Sequence, residues 1–323
     1  MKCLTLLFGQ IKILYSKIFT LHKPNFIIAL SVLIVFTILG NKSLRSETLS
    51  DRAILMDLYY STKGEDWTNN ENWGTYADIS TWQGVVIKNE KVKAIDLENN
   101  NLNGNIPDSI CQLMHLEVLN LRYNKIIGYI PKDIGNIASL KKIDFYQNKL
   151  EGGIPQSICN LVNLKELSLA SNKLSGEIPD NLGNLVNLET LALRYNQITG
   201  SIPFSIGNLS QLKYLLLEFN QLSGIIPETI YNLTTLRSIN LTNNYLSGNI
   251  SNDIGNLKNL NSLYISKNDF DGYIPENIMT LSNLRTIYIG NNHLCTNDSE
   301  LISYLDLKAK NWRNNQTDTL CSN

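Results

Sequence analysis

Along residues 92–294 the chain repeats one apolar–polar phrase at a constant offset. One copy reads Leu188-x-x-Leu191-x-Leu193-x-x-Asn196-x-Ile198-x-Gly200-x-Ile202-Pro203. Around Leu191 and Leu193 apolar and polar positions alternate, the period of a strand with one buried face. The alternation stops at Asn196, where the chain must turn. A buried turn leaves backbone donors and acceptors without water, at ~1–3 kcal/mol each. An inward carboxamide can satisfy such groups in its own turn and in the neighbouring one. Gly200 permits backbone geometry that other residues resist, and Pro203 suits a turn or strand edge because it fixes φ and has no N–H. A second half, such as Ile206-Gly207-Asn208-Leu209, returns the chain along the outer side and carries another Asn column at 136, 160, 184, 208, 232 and 256.

The register is regular. Asn occupies 100, 124, 148, 172, 196, 220, 244, 268 and 292, every gap being 24. Pro follows seven positions later at 107, 131, 155, 179, 203, 227 and 275. A period of this size signals a repeat architecture. No single unit can bury its own apolar residues, so the units must stack, with their strands forming one parallel sheet at ~4.8 Å per turn. Nine turns then make a stack roughly 40 Å long.

The phrase LxxLxLxxNxLxGxIP resembles that of the plant-type leucine-rich repeats, found in plant receptor ectodomains, polygalacturonase-inhibiting proteins and bacterial and protist surface proteins. The resemblance spans about residues 92–294. It implies an α/β solenoid: a right-handed leucine-rich-repeat horseshoe with a parallel β-sheet on its concave face, nine turns, capped at both ends. Ser251 stands where Pro is expected, and Gly152-Gly153 alters the third unit.

An open stack needs end caps. Residues 47–91 supply the first. Asp51–Tyr60 reads as a short amphipathic helix with Ser50 as N-cap and Gly64 as stop, followed by Trp67, Trp73 and Trp82 as apolar cover. The stretch DRAILMDLYYSTKGEDWTNNENW, then WQGVV, resembles the cap of bacterial and protist members. The cysteine pair of plant relatives is missing, and Ile87 stands about where one Cys would be. Residues 295–323 form the second cap, with Asn297 and Glu300 spaced as a capping box and Leu301, Leu305, Tyr304 and Trp312 as cover. Cys295 and Cys321 flank this segment and are expected to pair, as suits export to an oxidising compartment. Cys111 and Cys159 share a repeat position two turns apart, about 10 Å along the stack. A disulfide needs Cα atoms within ~7 Å, so both read as structural.

Charge changes the picture at the N-terminus. Residues 1–46 hold six basic residues and no acid, and the remainder holds 22 basic and 29 acidic residues, a net −7. A mildly acidic body gives no footprint for nucleic acid. Behind Lys12, Lys17 and Lys23, the stretch Phe26–Leu39 is apolar almost throughout. As a helix it spans about 21 Å, short of the ~30 Å hydrocarbon core. Residues 1–46 therefore read as a signal peptide, with a signal anchor as the alternative. Either places the repeats outside the cytoplasm, secreted or at the cell surface.

Candidate chemistry is sparse. The three His (His22, His115 and His293) are far apart in the repeat register. No Cys/His cluster has metal spacing, no phosphate-cradling glycine loop follows a strand, and no base sits beside a nucleophile. The expectation is a non-catalytic protein without a cofactor. What remains is the outward face. Arg122, Tyr123 and Tyr146 gather in turns two and three; Arg194, Tyr195, Tyr214, Leu216, Glu218 and Phe219 gather in turns five and six. Ser168, Ala170 and Ser171 leave a shallow dip between them. Tyr and Arg are the residue types of binding hot spots, and Leu216 and Phe219 have no structural need to face water. Aromatic rows also arise from strand propensity alone. The expected function is extracellular recognition of a protein or glycan by a monomer, with a membrane-bound co-receptor if it signals. The alternatives are an inhibitor of a secreted polysaccharide-degrading enzyme and a structural adhesion component.

Overall fold

The computed structural model describes residues 49–309, 312–314, 316 and 321. The signal-or-anchor reading of residues 1–46 falls outside the described residues. Among the described residues no helix is long and apolar enough to cross a membrane.

A sheet of ten strands runs the length of the solenoid. It opens with Val85–Lys88 antiparallel to Lys91–Asp96. From there every step is parallel and joins equivalent positions of successive units, as in Leu191 beside Leu215 beside Ile239. Leu119, Ile143, Leu167, Leu191 and Leu215 are fully buried beneath it. Each unit then returns through a short 3-10 turn such as Phe204–Asn208, which the preceding Pro203 caps with extended backbone. Proline suits that place because the first N–H of a helix has no partner in any case. The expected exception explains itself. Ser251 caps its turn with its own hydroxyl, which accepts from the Asp253 N–H, and its backbone N–H donates to the buried Tyr231 hydroxyl at 3.3 Å. A proline could not make that bond. Of the Gly152-Gly153 pair, Gly152 is the regular member, at φ +73° like Gly128 and Gly176; a Cβ there would run into the Tyr129 ring.

The Asn column is a ladder. Asn196 Nδ2 donates to its own turn at Leu193 O (2.9 Å) and to the previous turn at Leu169 O (3.1 Å), while its Oδ1 accepts from Leu174 N (3.0 Å). The same triad recurs at Asn148, Asn172 and Asn220. Each rung satisfies buried backbone groups of two turns, as the turn chemistry requires.

Both caps extend this ladder. At the N-terminal end Asn100 Oδ1 accepts from Asn69 N (2.6 Å) and its Nδ2 donates to Asn69 O (2.8 Å). Above it, the Asp51–Ser61 helix starts at Ser50, whose hydroxyl accepts from Ala53 N. Trp67, Trp73 and Trp82 pack edge-to-face or tilted, with centroids 4.8–4.9 Å apart. Gly64 is not the helix stop: the helix ends at Ser61 with Thr62 as C-cap, and Gly64 opens the next 3-10 turn against the Tyr59 ring.

At the other end the expected Asn297–Glu300 capping box does not form. Asp298, not Asn297, caps the helix Ser299–Lys308, accepting from Leu301 N at 2.6 Å. Asn297 is occupied elsewhere, pairing through its carboxamide with the backbone N–H and carbonyl of Cys321 (3.1 and 3.2 Å). Gln316 lies one full period beyond Asn292 and acts as one more rung, accepting from Leu294 N and donating to Ile289 O, both at 2.9 Å. Cys295 and Cys321 are bonded, with Cα atoms 5.2 Å apart. Closing a loop of this length stabilises by roughly 3–4 kcal/mol in the chain-entropy picture. Cys111 and Cys159 are free and buried. Burial and the nearby Asp108 and Asp133 push the Cys111 thiol up to about 12, which leaves it inert.

Candidate functional site

The open face of the sheet is built from three outward positions per turn, and the last of them has an unexpected backbone. Tyr123, Gln147, Ser171, Tyr195 and Phe219 all adopt left-handed φ, between 54° and 58°. The left-handed step ends the strand while letting the residue's N–H reach the next turn, as in Tyr195 N to Glu218 O at 2.9 Å. Asn takes this conformation easily, and stands at 99, 243 and 291. For a bulky side chain it costs roughly 1–2 kcal/mol. Tyr123, Tyr195 and Phe219 bear that cost and expose their rings, at 40%, 49% and 36%.

These rings are ordered against one another. Tyr195 and Phe219 stack with centroids 4.5 Å apart and planes 9° from parallel. Tyr123 meets Tyr146 edge-on at 5.1 Å. The repeat register brings equivalent positions of adjacent turns side by side, so the stack follows from the repeat.

The charged members are largely committed to each other. Arg122 Nη2 donates to Glu98 at 2.7 Å, and Asp144 lies 3.9 Å from its Nη1. The Arg122 guanidinium holds the Glu98 carboxyl below its usual range, against a smaller desolvation effect. Arg194 sits over the Tyr146 ring at 5.9 Å and reaches Glu218 at 3.4 Å. The two groups seen in the sequence are therefore joined. Arg194 reaches past Ala170, so the dip between the groups is spanned by a guanidinium.

Three expectations change here. Glu218 is not an exposed contact: it is 4% exposed, drawn against Arg194, and burial raises its carboxyl pKa. Its Oε2, like Nε of Arg122 and of Arg194, is buried without a partner. Leu216 is only half-buried, and Tyr146 likewise. Ala170, Ala192, Asn120 and Asp144 count as outward by alternation yet are buried, because short side chains in mid-sheet are covered by longer neighbours. Tyr214, at 39% exposed, opens the strand Tyr214–Leu216 on the same turn as Phe219. One feature went unremarked in the sequence. Tyr264 and Tyr288 also stack, at 5.3 Å and 17°, near the C-terminal end of the same face. They occupy the same column in successive units, and that was the available signal.

A family model described as a leucine-rich repeat region matches residues 148–316, over half of the chain, and a Leucine Rich Repeat model matches 91–113 and 115–137. The chain belongs to the leucine-rich repeat family. Among curated proteins it is similar to Receptor-like protein kinase 7 of Arabidopsis thaliana, 36% identical over 124 residues, which is 37% of this chain and 12% of that one. Among solved structures it is similar to the plant peptide hormone receptor RGFR1 in complex with RGF2, with TM-score 0.58, 39% identity, and coverage of 59% of this chain and 31% of that one. A further match is the Arabidopsis receptor kinase HAESA in complex with the peptide hormone IDA and the co-receptor SERK1, with TM-score 0.60, 28% identity, and coverage of 76% and 46%. The chain therefore spans less than half of each of these relatives. The match to the kinase relative lies within a leucine-rich-repeat chain, and repeat ectodomains of this kind are typically non-catalytic.

Proposed function

We propose that this leucine-rich-repeat protein recognises an extracellular protein or peptide on its concave face, with Tyr195, Phe219 and Tyr214 as the apolar anchor and Arg122, Tyr123, Tyr146 and Arg194 as the flanking polar surface. Leu216 contributes as a half-buried apolar residue of the same turn, and Glu218 positions Arg194 instead of touching the partner. The observation that carries this reading is the stacked, exposed Tyr195–Phe219 pair on left-handed backbone. Strand propensity does not account for it, because neither residue is in strand conformation and each holds a place where Asn would cost less. An outlier of this kind is commonly retained at a functional site. The similarity to repeat ectodomains solved with peptide hormones, one with a co-receptor, supports a protein partner and a second, membrane-bound protein.

The chain is read as a leader over 1–46, a cap over 47–91, repeats over 92–294 and a cap over 295–323, secreted or held at the cell surface, and monomeric. The test is affinity capture of extracellular proteins and peptides on the immobilised full chain, beside a variant carrying Arg194→Ala, Tyr195→Asn and Phe219→Asn. Partners of this face are retained by the native protein and lost by the variant. Equal retention by both would refute the site.

A further inference from the structure

A cleft of about 500 Å³ opens where the last strand of the sheet, Thr286–Tyr288, meets the C-terminal cap. It lies within the ~300–1,000 Å³ range of small-ligand sites. Its walls carry three cations, Lys267, Arg285 and Lys308, and no acidic residue. All three are exposed. Several basic residues elsewhere along the sheet are held in ion pairs. Lys93 and Lys141 share Glu117, Lys142 has Glu166, and Lys213 has Glu189. Among the described residues no such ion pair holds Lys267, Arg285 or Lys308. Asp306 of the cap is already taken by Arg313 (2.7 Å) and by the Trp312 indole N–H (2.7 Å).

Beside these cations lies a flat aromatic surface. Tyr288 lines the cleft, is 51% exposed, and is backed by the near-parallel Tyr264 ring. Two residues on comes Gly290, whose neighbours in the same column are the small Ser266 and Thr242, so no long side chain rises there. Part of the backbone in the cleft is already paired. Asn291 N donates to Asn314 O at 2.8 Å, and Lys267 N donates to Gly290 O at 3.1 Å. Among the described residues Thr286–Tyr288 pairs on one side only, so an acidic peptide adding there as a strand is the rival occupant that the hexaglutamate probe tests. What the cleft offers is a ring face, side-chain hydroxyls and exposed positive charge.

The geometry points to a second binding site here, separate from the Tyr195–Phe219 face, for an acidic oligosaccharide whose sugar ring lies on Tyr288 while its carboxylate or sulfate meets Lys267, Arg285 and Lys308. The contact with these exposed cations is electrostatic, so binding weakens with salt. The cap walls of the site, Lys308, Trp312 and Asn314, are held by the Gln316 rung and the Cys295–Cys321 bond.

The test is calorimetric titration of the full chain at low salt with four probes: a uronic-acid trisaccharide, a sulfated disaccharide, a neutral trisaccharide and hexaglutamate. One or both anionic sugars bind, and whichever binds more tightly identifies the anion. The neutral sugar and hexaglutamate bind at least about tenfold more weakly. The double variant Lys267→Gln, Arg285→Gln loses about tenfold or more in affinity for the anionic sugar, and Tyr288→Ala loses a similar amount. The Arg194/Tyr195/Phe219 variant is unchanged here, which separates this site from the protein-binding face. Failure of both anionic sugars to bind overturns the inference. So does hexaglutamate or the neutral sugar binding as well as the anionic sugars, or full affinity in Tyr288→Ala with native circular dichroism. Lys308→Gln, which touches only the exposed helix end, gives a check in which folding is not at issue.

Discussion

Two columns run side by side through the solenoid, one residue apart, and they are used in opposite ways. The Asn column, from Asn100 to Asn292, keeps one residue type at every turn. The column before it varies from Asn99 through Tyr123, Gln147 and Ser171 to Tyr195, Phe219 and Lys267, although its backbone is nearly the same at each step. The Asn side chain supplies three hydrogen bonds to buried backbone, and its carboxamide carries the donor and the acceptor that two turns require. Its neighbour acts through main chain alone, so its side chain is free to vary. Structure is held by the constant column, and identity can be written in the variable one. The aromatic residues in the variable column matter because the backbone there disfavours them.

The sharpest break of this contrast is Asn196→Ala. It strands Leu174 N in the interior and takes one of two carboxamide donors from Leu169 O and from Leu193 O, which keep Asn172 and Asn220. One stranded N–H at ~1–3 kcal/mol, with two carbonyls less fully bonded, predicts a loss of about 2–3 kcal/mol in urea unfolding followed by circular dichroism. Since each turn contacts only its neighbours, the transition also broadens. A loss below about 1 kcal/mol, under the cost of even one stranded group, would mean that the ladder is dispensable and the contrast false.

The middle-sized test acts on the other column. Tyr195→Asn together with Phe219→Asn relieves two left-handed aromatics, at roughly 1 kcal/mol each, and forfeits one stacked pair worth ~0.5–1.5 kcal/mol. Stability should stay within about 1 kcal/mol of the native protein in the same assay, since these two effects oppose each other, while partner capture is lost. Equal damage from the two columns would make the rings structural.

How much of this could be read from the chain follows the same division. The period, the Asn rungs, the Trp-rich cap and the Cys295–Cys321 bond were legible because each depends on spacing. The substitution of Gln316 for a rung was hidden because the apolar frame around it dissolves in the cap, leaving only the bare period to find it. Asp298 displaced Asn297 as helix cap because the Asn297 carboxamide bonds the Cys321 backbone, a contact that only the closed disulfide creates. On the open face, strand alternation said which way side chains leave the sheet but not how far they reach. Asp144 and Glu218 leave it outward and still end buried, because long neighbours lie against them. The left-handed backbone of Tyr195 and Phe219 was invisible for a different reason: residue type argues against it, and only the fold imposes it.

Glu218 offers the smallest and most discriminating measurement, because it sits between the two columns' roles. Burial raises its carboxyl pKa, while a backbone hydrogen bond and Arg194 pull the other way without cancelling the effect. The sign follows from linkage. A carboxyl whose folded pKa lies above its unfolded value favours folding only while protonated. Its penalty is absent at pH below the unfolded value, grows as pH rises through the folded one, and is constant above that. Glu218→Gln keeps the shape and removes the charge, so the variant and the native protein should melt alike near about pH 3.5, below the usual carboxyl range, and the variant should gain Tm relative to the native protein toward neutral pH. Other carboxylates titrate in both chains and drop out of the difference. If instead the variant falls below the native protein as pH rises, the Arg194–Glu218 pair stabilises the fold. Glu218 would then belong with the Asn ladder as a structural element, and Arg194 would be held by stability instead of being positioned for a partner.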